Sequence, residues 1–205
     1  MSLSEHINIT IKEVTKFYHQ NKGIESINLE LNSGNLHVFT GKNGSGKSTL
    51  IKCMMNLVEY QGKINKRKYR IGYAPEKYIM PEFMTIKEFL IAIGRIKHSY
   101  DPYLSMELKL LFKRFDLESK INHPIRSLSN GMKQKVNVIQ ALINHPKIII
   151  LDEPLVGLDF TAQNELIKLI IELSKDKLVI VSTHFPEKFH TKRKVIHHFS
   201  EGKIR

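Results

Sequence analysis

Hydrophobic and polar positions change their period several times along the chain. Residues 27–31, "INLEL", alternate apolar and polar, the pattern of a half-buried strand. "NSG" then turns the chain, and "LHVF" predicts a short strand running into a glycine-rich loop. After that loop "KSTLIKCMMNL" places Leu50, Ile51, Met54 and Leu57 on one helical stripe. "QGKINKRKYRIGYAPE" predicts a hairpin or a strand pair. A helix-rich middle follows over roughly residues 85 to 143. There "TIKEFLIAIGRIKH" spaces Ile86, Phe89, Leu90 and Ile93, and "SMELKLLFKRF" repeats the pattern. "GMKQKVNVIQALINH" spaces Met132, Val136, Ile139 and Leu142 or Ile143 in the same way. The period then shortens. "KIIILDEP" and "KLVIVSTH" are continuous apolar runs, the mark of strands buried on both faces of a parallel sheet. Between them "TAQNELIKLIIELSK" is an amphipathic helix, and "KVIHHFSEGKIR" closes the chain as an edge hairpin. The order is a β start, a glycine loop, a helical insert, then β-α-β. It predicts an α/β core with an inserted helical lobe.

Composition narrows the picture only in part. The chain has 205 residues, enough for one sizeable core. Lys and Arg number 32 against 20 Asp and Glu, a net charge of +12. Nucleic acid, an anionic membrane surface or a phosphate-rich small molecule would each suit that excess, and a lysine-rich solvated surface explains it equally well. The single cysteine, Cys53, excludes an intrachain disulfide, suits a reducing cytoplasm and is expected to be packed. No run approaches the ~18 apolar residues of a membrane span, and the polar start "MSLSEHINIT" predicts no signal peptide. The opening Met-Ser-Leu is either native or an expression scar and carries no weight. "KINKRKYR" and "HTKRKVIHH", the latter with His190, His197 and His198, read as solvated basic faces rather than metal sites.

The glycine loop carries the chemistry. Gly41, four residues, then Gly46, Lys47 and Ser48 fit G-x-x-x-x-G-K-[ST]. The loop runs through Lys42, Asn43, Gly44 and Ser45, and Thr49 follows Ser48. Glycines let backbone N–H groups turn inward on a polyphosphate, and the following helix adds its positive end. Lys47 is spaced to reach the β- and γ-phosphates, and Ser48 to offer its hydroxyl to Mg²⁺. A triphosphate site also needs an acid at the end of a buried strand. "IIILDEP" supplies Asp152 for Mg²⁺ and Glu153 for the attacking water.

With those elements in place the sequence resembles the nucleotide-binding subunits of ABC transporters, along essentially its whole length. "SLSNGMKQKV" is similar to the family's LSGGQ signature, with Ser129, Asn130 and Gly131 at a helix start. The resemblance implies that this turn caps the γ-phosphate bound by an opposite subunit. It also implies that Tyr18 in "VTKFYHQ" stacks on adenine, that "GLD" at 157–159 crosses a dimer interface, and that His184 in "VSTH" contacts the γ-phosphate. Glu76 in "IGYAPE" stands where most members have glutamine, near Mg²⁺. Asn130, Met132, Leu155 and Phe160 are further departures from the common pattern. "PE" and "LSNGMKQK" resemble ABC-2 type drug and antibiotic exporters, which implies export.

The expectations are therefore specific. The fold is α/β, a P-loop NTPase core of mainly parallel sheet with an N-terminal antiparallel β region. Residues 1–205 form one nucleotide-binding domain, with core 1–77 and 144–205 and helical lobe 78–143. ATP and Mg²⁺ are the cofactors. Lys47, Glu153 and His184 are the catalytic set, and Ser48, Asp152 and Glu76 face the metal. A second nucleotide-binding subunit and separate membrane permease chains are the partners, with the groove between the Glu76 loop and the helical lobe receiving the permease. The chain is expected to be cytoplasmic and peripheral on the membrane. The rival is a soluble ATPase of the same family acting on nucleic acid or ribosomes. The charge favours it; the lack of a long coiled coil and of a second such domain counts against it.

Overall fold

The computed structural model describes residues 6–18, 22–98 and 101–205; the opening residues 1–3 lie outside that set. The chain divides into two compact units, one of Met1–Tyr69 with Ile167–Arg205, the other of Arg70–Leu166.

In the first unit β1 (Asn8–Phe17), β2 (Gly23–Asn32) and β4 (Gln61–Asn65) make an antiparallel sheet in the order β2-β1-β4. Alternation in β1 is broken on purpose. Ile9 and Ile11 face inward, and so does Val14, three positions on. A register shift between Ile11 and Val14 allows this, with Glu13 in the left-handed region at φ 50. The bulge needs a glycine opposite: a Cβ on Gly62 would lie 2.3 Å from the Glu13 carbonyl oxygen.

The same unit holds β3 (Leu36–Thr40), with β7 (Leu178–Ser182) and β8 (Lys194–Ser200) parallel to it on either side. β9 (Lys203–Ile204) closes the edge as a hairpin on β8, as the sequence predicts. All five residues of β3 and of β7 are buried, and β7 reads as an unbroken apolar run. Helix α1 (Lys47–Met54) starts at the glycine loop and buries Leu50, Ile51, Cys53 and Met54. It ends before Leu57, which is 60% exposed, so the expected stripe is one residue too long. The Lys66 ammonium donates to the Met54 carbonyl at that end. His197 also departs from expectation. It is buried, with its Nε2 3.0 Å from His37 Nδ1, because β8 turns it toward β3. The reading of "HTKRKVIHH" as a solvated face therefore fails at this position.

In the second unit β5 (Ile71–Ala74) runs parallel to β6 (Ile148–Asp152), with Tyr73 opposite Ile150. Of the hairpin or strand pair expected over 61–76, the two strands are present but do not pair with each other, so the hairpin is corrected. The two strands join different sheets because β4 is mostly exposed and polar whereas β5 alternates buried positions. Helices α2 (Ile86–Ile96), α3 (Asp101–Arg114) and α4 (Asn130–Leu142) follow. Thr85 and Glu88 form a capping box at the start of α2. Helix α5 (Phe160–Leu173) begins in this unit, where Asp159 Oδ1 accepts from the Ala162 N–H at 2.8 Å. The fold class is α/β, mainly parallel in its larger sheet, with a separate antiparallel region and several helices. Among the described residues no helix is long and apolar enough to cross a membrane.

Candidate functional site

In the first unit the glycine loop joins β3 to α1. Three of its residues have left-handed backbones: Gly41 at φ 146, Gly44 at φ 78 and Gly46 at φ 112. Two also lack room for a side chain. A Cβ on Gly41 would meet the Phe199 carbonyl oxygen at 2.3 Å, and one on Gly46 would meet Ile24 Cγ2 at 2.6 Å. The loop is therefore held by close packing as well as by its own conformation. Gly46 caps α1 and brings no capping side chain to the first-turn N–H groups. The Lys47 ammonium, 94% buried with its side chain, folds back to donate to the carbonyls of Gly41 at 2.7 Å and Lys42 at 3.2 Å. Ser45 Oγ is buried with no hydrogen-bond partner among the described residues.

The structure brings His184 to this loop. The Thr183 N–H donates to the Phe39 carbonyl at 3.0 Å and fixes the chain just past β7. His184 Nε2 then lies 2.9 Å from Asn43 Oδ1. A cavity of about 500 Å³ opens beside Gly44, walled by Phe17, Lys22, Gly23, Glu25, Glu201 and Gly202. Its aromatic wall is Phe17; Tyr18 is not among the lining residues. Tyr18 is 42% exposed, just past the end of β1, with the Lys16 ammonium 5.3 Å from its ring centre.

The second unit holds Glu76, the signature turn, Asp152 as the last residue of β6 and Glu153 just past it. Asp152 and Glu153 are buried, and Glu153 takes a left-handed backbone at φ 49. For a residue with a side chain that conformation is strained. A turn follows, with the Val156 N–H donating to the Glu153 carbonyl at 3.3 Å. Ser129 caps α4, its Oγ accepting from the Met132 N–H at 3.2 Å, which leaves the O–H proton to be donated elsewhere. Gly131 packs tightly: a Cβ there would lie 2.9 Å from the Gly157 carbonyl oxygen. This brings the signature turn and the "GLD" turn together.

The residues fit a hard divalent cation. Asp152 Oδ1 is buried and has no hydrogen-bond partner among the described residues. The Tyr73 hydroxyl is pushed up to about 12, first by burial and then by the negative charges of Asp152 and Glu76. Within this unit the carboxylates of Asp152 and Glu76 offer the oxygen donors that Mg²⁺ prefers.

Several contacts were not foreseen from sequence. The Asn43 side chain meets His184, and Gly72 lets α4 approach β5, where a Cβ would fall 1.9 Å from the Ala141 carbonyl oxygen. Three carboxamides on α4 also grip backbone: Gln134 Nε2 donates to the Pro154 carbonyl at 3.1 Å, Asn137 Nδ2 to Pro75 at 2.9 Å, and Gln140 Nε2 to Tyr73 at 2.6 Å. The available signal was polar residues every third position on a helix whose neighbours Val136, Val138 and Ile139 are buried.

Residues 24–156 match the family described as ABC transporter. A protein of Mycoplasma pneumoniae named as an ABC transporter ATP-binding protein is 31% identical over 191 residues, covering 86% of this chain and 59% of the relative. The chain spans about three fifths of the length of the curated relatives it matches. Among solved structures, an ATP-binding subunit of an ABC transporter superposes with a TM-score of 0.88 at 26% identity, covering 96% of this chain and 87% of the other. A dimeric ATP-binding cassette in a post-hydrolysis state, bound to ADP and Pi, superposes with a TM-score of 0.85 at 24% identity, covering 96% of each chain. At that identity the likeness speaks for the fold. Together with the glycine loop and the signature turn, these matches establish that the chain belongs to the ABC transporter family and carries that family's ATP-binding ATPase domain.

Proposed function

We propose that this chain binds and hydrolyses ATP to power transport through separate membrane permease chains. It does so paired with a second nucleotide-binding subunit, identical or homologous. Residues 1–205 act as one nucleotide-binding domain, with core 1–77 and 144–205 and helical lobe 78–143, peripheral on the cytoplasmic face of the membrane. The observation that carries the reading is the glycine loop, whose backbone is locked open while Lys47 rests on two of its carbonyls. Exchange of those carbonyls for phosphate oxygens costs the lysine little reorganisation.

In this reading the loop amides of residues 41–46 and the start of α1 hold the β- and γ-phosphates. Thr49 lies in the same first turn. Tyr18, with Phe17 beside the cavity, faces the base. From the opposite copy, the Ser129 hydroxyl and the N–H groups of Asn130 and Gly131 meet the γ-phosphate. Ser48, Asp152 and Glu76 would hold Mg²⁺, which when bound neutralises charge on the β- and γ-phosphate oxygens. Glu153 orients the attacking water and takes its proton at a carboxylate oxygen, as that water bonds to the γ-phosphorus and the bond to the bridging oxygen breaks. His184, held by Asn43, contacts the γ-phosphate. Product release then loosens the pair, because the γ-phosphate bridged both copies.

The likeness of "PE" and "LSNGMKQK" to ABC-2 type drug and antibiotic exporters supports export as the direction. The relative and the first solved structure are named for transport, and the nucleic-acid rival draws no support from them. The test is Glu153→Gln. It is expected to bind MgATP, to pair in its presence, and to hydrolyse roughly 10²–10³-fold more slowly than the parent. Turnover at the parent's rate would remove Glu153 from its role.

A further inference from the structure

We infer that Gln134, Asn137 and Gln140 are positioning residues that hold Glu76 and Glu153 in fixed relation to the signature turn, acting through backbone carbonyls. The inference rests on the ATP-hydrolysis reading above.

Spacing by three keeps the three carboxamides on one face of α4. Each meets a carbonyl beside a carboxylate of the site or in the strand leading to it. Pro154, held by Gln134, directly follows Glu153, and Pro75, held by Asn137, directly precedes Glu76. Gln140 holds Tyr73, and its Nε2 also lies 3.5 Å from Asn137 Oδ1, so the two amides orient each other. Carbonyls two residues apart on a strand point to the same edge. Tyr73 lies in β5 and Pro75 one residue past its end, both carbonyls meet α4, and β5 ends its sheet. The carboxamides take the place of a missing neighbour strand. Gly72 makes the approach possible, since any side chain there would strike the Ala141 carbonyl and push α4 away.

Covering a strand edge does not by itself require buried amides. Gln134 and Asn137 are 4% and 1% exposed, and burying a carboxamide on a helix face is costly unless it is repaid by well-placed hydrogen bonds. The three land on the segments flanking the two functional carboxylates, and the helix that bears them begins at the Ser129 cap. A shift of the signature turn is therefore passed to Glu76 and Glu153 as one motion.

Asn137→Asp keeps the shape but sets an acceptor against the Pro75 carbonyl. In the nucleotide-free chain, amide exchange over residues 76–78 should speed up at least about tenfold, with exchange in α1 unchanged. In ATP hydrolysis, kcat should fall about tenfold with KM for MgATP within about twofold. In a Glu76→Ala background the same change should cost less than about twofold, because the residue it positions is gone. Gln140 supplies an independent pair: Gln140→Lys keeps a donor and should hold kcat within about twofold, while Gln140→Glu should lower it as Asn137→Asp does. Equal losses with and without Glu76, or unchanged exchange at 76–78, would overturn the inference. A parent chain that hydrolyses no ATP would sink the proposed function instead, and the exchange measurement would still decide whether the carboxamides hold the segment.

Discussion

The two compact units fix functional backbone by opposite means. In the glycine-loop unit, conformation is stored in the chain itself. Gly41, Gly44 and Gly46 adopt backbones that residues with side chains avoid, and neighbours press on two of them. In the signature unit, the backbone beside Glu76 and Glu153 is ordinary β-strand and turn, held from outside by carboxamides on α4. Glu153, at φ 49, is the strained exception. The lesson is that a loop built to wrap a phosphate is rigid by local covalent geometry, whereas a pair of acids on different segments needs a third element to set their spacing.

Breaking the first kind of order should have the largest effect. In the proposed function Lys47 brings its charge to the phosphates, so Lys47→Ala is expected to lower kcat/KM for ATP roughly 10²–10³-fold. Gly46→Ala comes next. Its Cβ would meet Ile24, and its φ of 112 is foreign to alanine, so about 2–3 kcal/mol of stability should be lost, seen as a lower Tm. A smaller effect tests whether unit one also relies on side-chain contacts. Asn43→Ala removes the group 2.9 Å from His184 Nε2 and should lower kcat only about three- to fivefold. The gentlest effect is a pH slope. Burial first, then His37 and His198, hold the His197 imidazole at about 4, below its ordinary 6.5. Between those values the unfolded chain binds a proton that the folded chain refuses, so stability falls as pH drops from 6.5 to 4 and this contribution levels off below. Melting curves of His197→Gln should show a shallower fall across that range than the parent.

The same contrast explains what the sequence revealed. Glycine spacing, the short strand β3, the buried runs of β6 and β7 and the helix start at 129 are local, and each was legible in the sequence. So were α2, from its apolar spacing, and the terminal hairpin. Pairing was not. "QGKINKRKYRIGYAPE" holds two strands, yet nothing within sixteen residues says that β4 joins β1 while β5 joins β6. His197 sits in a basic run and is buried only because β8 lies beside β3. The carboxamides at 134, 137 and 140 gained meaning only once their carbonyl partners, up to 67 residues away, were in place. Leu57 shows the limit of periodicity, which continues past the last residue that packing can bury.

The central claim is that nucleotide is clamped between the Lys47 loop of one copy and the Ser129 turn of another. Mixing two inactive variants tests it most directly. Lys47→Ala and Ser129→Ala each damage every composite site when alone, but a mixed pair regains one site with an intact loop and an intact turn. ATP hydrolysis in an equal mixture should rise well above either variant, toward about a quarter of the parent's rate, the share of intact sites expected from random pairing. A mixture that hydrolyses ATP only at the average of its two components would contradict the claim.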